Sequence, residues 1–375
     1  MNDDNIPYYK VNKLIWTWSR RDGAEGCRAV REAELSMERP PPLLEKAATE
    51  APVVEEKPST PSKLPTPAAS QPEKPKKTEM VPPFDIQDIP EAMRKLKMPV
   101  SAKLMERWFA GRLNYSPGDS DESNEINQDG KPYPPDMYDA TTVKMDWILK
   151  FPRAKKQFDY LIGEAIRSPA AKKVLADKLK RFDKKMFGIS TRWVSKDNTA
   201  HLHKHFHFQH VPVDGEFSQK IQTLLASQWK RSGVPDDLAG ALGSFNIYAA
   251  IGSVRPSDDF MRRETAFELT GIWVYVKDNY TFTDQTHNRS QYLGHWSRNG
   301  VVVVPLDVVA AASRYAPYVE SPVTLGNPAI RGNVYYPIHN SDFRQWALKH
   351  QRGGDFVIYS DRCFVPVVPP IRIDL

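Results

Sequence analysis

Twelve of the chain's 32 prolines fall between Pro40 and Pro83, in a run with no aromatic residue and otherwise filled mostly by Lys, Glu, Ser, Thr and Ala. Such a run cannot remove enough apolar surface from water to offset the entropy of ordering its backbone. It reads as an extended, disordered linker of polyproline character, in which KLPTP and QPEKPKK are weak signals for an SH3-type ligand. The folded mass must therefore lie elsewhere. A hydrophobic content of 40% with a mean hydropathy of −0.55 fits a cored body diluted by one solvated segment. Four parts follow: a docking segment at 1–39, the linker at 40–83, a helical portion at 84–187 and a β-rich portion at 188–375.

Ahead of the linker, Leu14, Trp16 and Trp18 alternate, as in a short strand or docking peptide. So small a piece must pack on the main body or on a partner, and its tryptophans suit an interface anchor. The opening MNDDNIPYYK is acidic, then aromatic, and lacks the basic start and apolar run of a Sec signal. No stretch reaches the length of a membrane-spanning helix. Cys27 and Cys363 are the only cysteines, too few for a disulfide framework or a cysteine-based zinc module. These features predict synthesis in a reducing cytoplasm, with any export left to a machine that reads no cleaved signal.

Order resumes at Phe84. Asp88 is a candidate N-cap followed by Pro90 and Glu91, and after Pro99 a second helix is predicted, capped by Ser101, with Leu104, Met105, Trp108 and Phe109 on one apolar face. A polar loop follows from Asn114 to Pro135. Its Asp119, Asp121 and Ser123 imitate an EF-hand opening, but Asn124 and Gly130 stand where that loop needs Gly and Glu, which excludes calcium binding of that type. Further helices are expected at 140–150, 153–166 and 169–187. Net charge is +6, yet Lys150 to Lys196 alone holds fourteen Lys or Arg against four acids. A block like this can meet nucleic acid, anionic lipid or a phosphorylated substrate, and it is also what a solvated helix face looks like.

Two stretches carry candidate chemistry. In Leu269–Trp296 the strand pattern Ile272, Val274, Val276 alternates with Trp273, Tyr275, Lys277, and a second strand is expected from Gln291. Between them crowd Asp278, Tyr280, Asp284, His287 and Arg289, a set able to do acid–base work or hold a phosphate, or to form an ordinary polar hairpin tip. In AHLHKHFHFQH, His201, His203, His205 and His207 fall on one face of a predicted strand, with same-face neighbours about 7 Å apart, a spacing that can converge on a divalent metal such as zinc. The same pattern is also a polar, solvated strand face. Strands are further expected at 189–195, 244–252, 300–304 and 332–338, a helix at 217–231, a short one near 235–242 and another at 341–350, and two strands at the C-terminus. No P-loop, GxGxxG, GxSxG or HExxH is present.

Three stretches together resemble an uncharacterised bacterial domain family encountered among type VI secretion cargo genes: FDIQDIPEAMRKLKMPVSAKLMERWF, YVKDNYTF with QYLGHW, and HNSDFRQWALKHQRGGDFVIYSD. The resemblance implies an effector secreted into competing bacteria, with a spike or adaptor engaged by the N-terminal segment and a cognate immunity protein. A second similarity is to colicin M-type toxins, which cleave a lipid-linked envelope precursor at its phosphate with an Asp-x-Tyr-Asp motif and a later His-Arg pair. Asp278, Tyr280 and His287 stand in similar order. Thr281 replaces the second Asp, for which Asp284 is a substitute, and Asn288 separates His287 from Arg289.

The expected fold is α+β: a helical N-terminal portion packed on a mostly antiparallel, twisted sheet, with a partial barrel as one way the sheet can curl. The expected function is an antibacterial toxin, a phosphoester hydrolase using Asp278 and Asp284 on magnesium or zinc, His287 as acid or base and Arg289 on the phosphate. The alternatives are a non-enzymatic secretion or interaction module, and a metal-dependent nuclease built on the histidine strand.

Overall fold

The structure, a computed structural model, describes residues 8–12, 17–21, 35–43, 84–180, 189–196, 198–214, 236–257, 266–283, 290–302, 322–325 and 332–375. The chain opens with strands β1 (Tyr8–Asn12) and β2 (Thr17–Arg21), which pair antiparallel. After residue 84 come helices α1 (Ile89–Lys95), α2 (Pro99–Ala110) and α3 (Asp119–Ser123), strand β3 (Tyr138–Asp139), and helices α4 (Met145–Ile148), α5 (Pro152–Gly163) and α6 (Pro169–Leu179). Strand β4 (Ile189–Ser190) runs into α7 (Thr191–Ser195), and α8 (Thr199–Phe206) into β5 (His207–Val213). Helix α9 (Asp237–Leu242) precedes the long strands β6 (Phe245–Pro256) and β7 (Ala266–Tyr280). The remainder is β8 (Tyr292–Ser297), β9 (Gly300–Val302), β10 (Val323–Thr324), β11 (Val334–His339), α10 (Asn340–His350), β12 (Phe356–Tyr359) and β13 (Cys363–Asp374).

The fold is α+β, with strands in two sheets. One is ordered β3-β12-β7-β6-β4, with β13 also on β7 and β5 also on β6; the other is β2-β1-β10-β11-β8-β9. Among the described strands only β1·β10 and β3·β12 pair in parallel, and no closed barrel forms. The predicted hairpin from Leu269 to Trp296 is corrected by this topology. Strand β7 pairs with β6, β12 and β13, whereas β8 pairs with β9 and β11, so the two strands belong to different sheets.

Local sequence accounts for most elements. Asp85, rather than Asp88, supplies the side-chain cap after Phe84, accepting from the Gln87 N–H at 3.0 Å. Helix α2 starts at Pro99, so Ser101 is inside it; its N–H and hydroxyl both reach Asp237 Oδ1, at 2.9 and 2.8 Å, tying α2 to α9. Ser168, just ahead of Pro169, caps α6 by accepting from the Ala171 N–H at 3.2 Å. The apolar face of α2 places Trp108 in the middle of the core, edge-on to Phe109, Phe282 and Phe343 at centroid distances of 5.0–5.5 Å. Gly353, at φ +93°, is required there, because a Cβ would lie 2.7 Å from the Trp108 ring. One buried cluster runs from Phe84 through Trp108 to Ile373, so the helical and β-rich portions share a core.

Two further expectations change. The 189–195 strand ends after Ser190, where Thr191 begins α7 and its hydroxyl donates to Ile251 O at 2.6 Å. Residues 40–43 of the predicted linker, with 35–39 before them, lie docked on the body, while 44–83 fall outside the described residues. The helix at 217–231 and the tryptophan Trp16 also fall outside them. No described helix is long and apolar enough to cross a membrane.

Candidate functional site

Alternation along β7 places Ile272, Val274 and Val276 in the core and carries the same face on to Asp278, where the strand reaches the wall of a cleft of about 950 Å³. Across the opening, α3 contributes Asp119 and Glu122, and the turn from α9 into β6 contributes Gly243 and Ser244. The rest of the lining is mixed, with Met93 and Met105 of the first two helices and Leu293 and Trp296 of β8 beside the polar Thr281, Thr283, Gln291 and Asn340. Among the described residues, the charged side chains lining the cleft are Asp119, Glu122 and Asp278, all acidic.

The two inner carboxyls are held toward their protonated forms. Burial pushes Asp278 well above the ordinary carboxylate range, and the nearby Glu122 charge adds to that, against an opposing hydrogen bond from the Asn279 backbone. Glu122 is also raised, first by burial and then by Asp355 and Asp119, while Asn279 works the other way. Asn279 Nδ2 donates to Glu122 Oε1 at 2.5 Å, and its buried Oδ1 has no hydrogen-bond partner among the described residues. Perturbed acids in a concave site are a physical signature of proton-transfer chemistry.

The other face of β7 is built differently. Lys277 Nζ lies 2.9 Å from Glu125 Oε1, and Glu125 also accepts from Tyr138 at 2.7 Å and Tyr359 at 3.1 Å. His203 sits beside this network, its Nδ1 3.0 Å from the Tyr275 hydroxyl. Burial, then the charges of Lys277 and His207, lower its imidazole to about 3.

Of the residues singled out by sequence, Asp278 is in the cleft. Tyr280 forms part of its wall, with its ring stacked on Phe356 at 5.0 Å and its hydroxyl 3.7 Å from Met105 Sδ; burial raises its phenol far above the usual value. That is a core position rather than that of a proton donor. Asp284, His287 and Arg289 lie outside the described residues.

The histidine strand is corrected outright. Asn198 caps a helix by accepting from the His201 N–H at 2.9 Å, and residues 199–206 form α8. The four histidines therefore divide into two pairs one turn apart. His201 faces His205, and His203 stacks on His207, each at a centroid distance of 4.5 Å. His207 Nδ1 is engaged with His203 O at 2.6 Å. They do not form a single four-histidine face, and no group of three or more metal-binding side chains occurs among the described residues.

The basic block resolves mainly into outer helix faces, with Lys155, Lys156, Lys172 and Lys173 exposed on α5 and α6. Arg153 turns inward to Asp214 and Asp236 at 2.5 Å each. Glu122 and Asn279, unremarked in sequence, are the additions to the site. Their contact spans 157 residues, and only the acidic run in α3 hinted at it.

A family model described as a family of unknown function, DUF6402, matches residues 84–375, and the chain belongs to that family. No curated protein and no solved structure matches it.

Proposed function

We propose that this chain is an antibacterial effector delivered by a type VI secretion system, and that its body is a hydrolase whose working acid is Asp278. One observation carries the hydrolase reading: Asp278 and Glu122 face the same cleft, and both carboxyls are held toward their protonated forms. A carboxyl that binds its proton more tightly than usual can give it to a leaving group, and the other member of the pair, in its ionised form, can take one from the attacking water. The cleft lining combines its acids with the apolar side chains of Met93, Met105, Leu293 and Trp296, a mixture that suits an amphiphile such as a lipid-linked envelope precursor.

The phosphoester class is the finer part of this proposal. An acidic lining favours a neutral or cationic scissile group over a bare phosphate. The described residues do not assemble a metal site that would reverse that preference, so no step is assigned to a magnesium or zinc ion. Phosphate recognition would fall to His287 and Arg289. The delivery half rests on the resemblance of three sequence stretches to secretion cargo, with a spike or adaptor and an immunity protein as the partners it calls for.

The test is toxicity in a susceptible bacterium, with the protein kept in the cytoplasm or sent to the periplasm by an added signal. Killing from the periplasm alone is expected, and soluble Asp278→Asn and Glu122→Gln variants should lose it. Undiminished killing by Asp278→Asn would remove the hydrolase assignment, and killing from the cytoplasm alone would favour a nuclease. A non-enzymatic module is the second reading, favoured by the parallel pairing of β1 with β10, which adds the N-terminal hairpin to a sheet edge. Soluble protein that kills from neither compartment would support it.

A further inference from the structure

Residues 35–43 cross the body between the 3-10 turn at Ile86–Asp88 and the C-terminal end of α10. On one side the Ser36 N–H donates to Phe84 O at 2.8 Å and the Ile86 N–H returns to Ser36 O at 3.0 Å, one step of a parallel ladder. The Ser36 hydroxyl donates to Asp85 Oδ2 at 2.9 Å, and Arg39 Nη2 reaches Asp88 Oδ1 at 2.5 Å. On the other side, His350 Nε2 donates to Met37 O at 2.7 Å, Arg352 Nη2 donates to Pro42 O at 2.8 Å, and Lys349 pairs with Glu38. Leu35 and Met37 pack on the core, whereas Leu43 is 92% exposed, where the segment leaves the surface.

We propose that the body carries a peptide-docking groove, and that its occupant is the chain's own segment 35–43, held as a non-covalent ligand. The contacts combine main-chain ladder bonds, two apolar anchors and two charge-assisted pairs, Arg39 with Asp88 and Lys349 with Glu38, the mixture by which folded domains recognise extended peptides. The groove is built for this occupant. Asp85 and Asp88 are only 4% and 5% exposed; the body gives each a partner, Gln87 N–H to Asp85 and Arg298 to Asp88, and Ser36 and Arg39 engage the remaining carboxylate oxygens. The segment rejoins the body only through 44–83, so its place in the groove does not follow from its neighbours in sequence. It also means that 40–83 is not a spacer holding residues 1–39 away from the body. Its two ends are tied to one place, and whatever grips the N-terminus is coupled to the body through the groove. The inference does not depend on the hydrolase reading.

The experiment introduces a specific protease site midway through 44–83 in the full-length chain, folds the protein, cuts it, and applies it to gel filtration. The two fragments are expected to co-elute. Adding the double change Ser36→Pro and Arg39→Glu removes the ladder donor and inverts the charge facing Asp88. The cut variant should then release its N-terminal fragment at least tenfold faster, while the uncut variant keeps the circular dichroism spectrum of the parent. A fluorescein-labelled peptide of residues 35–43 with the parental sequence should exchange into the cut variant, whose groove is unchanged and is vacated faster, more readily than into the cut parent. Immediate separation of the parent fragments would overturn the proposal. So would retention of the variant fragment at the parent rate, which would place the attachment in the β1·β10 pairing instead.

Discussion

Lys277 and Asp278 are neighbours on one strand and opposites in circumstance. Lys277 points to the face where Glu125 meets it and two tyrosine hydroxyls complete the carboxylate's bonding. Asp278 points to the face where the packed core ends in a cleft, and Glu122, the nearby charge acting on it, has the same sign. The contrast teaches how to separate structural polar groups from chemical ones. A buried charge with its partners in place is part of the fold, and replacing one partner leaves the other stranded. An acid kept uncharged beside open space holds a proton that a substrate could receive.

The largest effect is expected at Asp278. Replacing it with Asn keeps the shape and removes the donated proton, so toxicity should fall by about 10²–10⁴-fold in titrated killing assays, with no loss of stability. The stability comparison has a pH signature. The folded protein holds the Asp278 proton well above the ordinary value of 3.8, so the group's contribution is full below that pH. It is lost as pH rises through the folded-state value. The stability of Asp278→Asn relative to the parent should therefore grow as pH climbs above about 4, measured by urea unfolding. An unchanged difference from pH 4 to 8 would mean that Asp278 is ionised in the fold.

Lys277→Met should behave in the reverse way. Toxicity per folded molecule is retained, and stability drops by about 3 kcal/mol, because Glu125 keeps its half-buried charge without its cation. Adding Glu125→Gln should restore part of the loss, and the double-mutant cycle measures the pair. Equal losses of toxicity in Lys277→Met and Asp278→Asn would erase the distinction between the two faces.

The third expectation concerns His203, which sits on the Lys277 side. Its folded value of about 3 lies below the ordinary 6.5, with burial as the first cause and Lys277 as the second. Groups facing it include His207, Glu125 and Lys178. A lowered imidazole stabilises the fold fully above pH 6.5, and that contribution is lost as pH falls from 6.5 toward 3. Imidazole NMR should show His203 neutral at pH 5. In Lys277→Met its titration should move upward while staying below the ordinary value, held there by burial and by His207.

How far the sequence reached depended on the kind of signal. The β7 alternation and the apolar face of α2 were legible because burial imposes their period directly. The α8 histidines alternate as a strand would, yet Leu202 and Phe206, four apart, are its buried residues, and Asn198 is a helix cap that the more conspicuous histidines obscured. The groove for 35–43 and the Glu122–Asn279 contact could not be read in advance, since both join residues brought together only by the finished fold. Asp278 was found for its position in a polar cluster. The reason it matters, a raised carboxyl at a cleft wall, is a property of packing.

Tyr280 gives the smallest effect and the sharpest separation between the cleft and the colicin M-type motif. In that motif the tyrosine belongs to the working set. Here its ring is stacked on Phe356 and, among the described residues, its hydroxyl meets only a thioether at 3.7 Å, a weak acceptor. Tyr280→Phe keeps the ring and the stacking, and it removes one poor hydrogen bond. Stability should change by less than about 1 kcal/mol, and toxicity should stay within about twofold of the parent, a change near 0.4 kcal/mol. A collapse of toxicity in a variant of parental stability would return the phenol to the chemistry and strengthen the phosphoester reading. Retention, alongside a dead Asp278→Asn, would leave the protonated carboxyl as the group that distinguishes the cleft from the rest of β7.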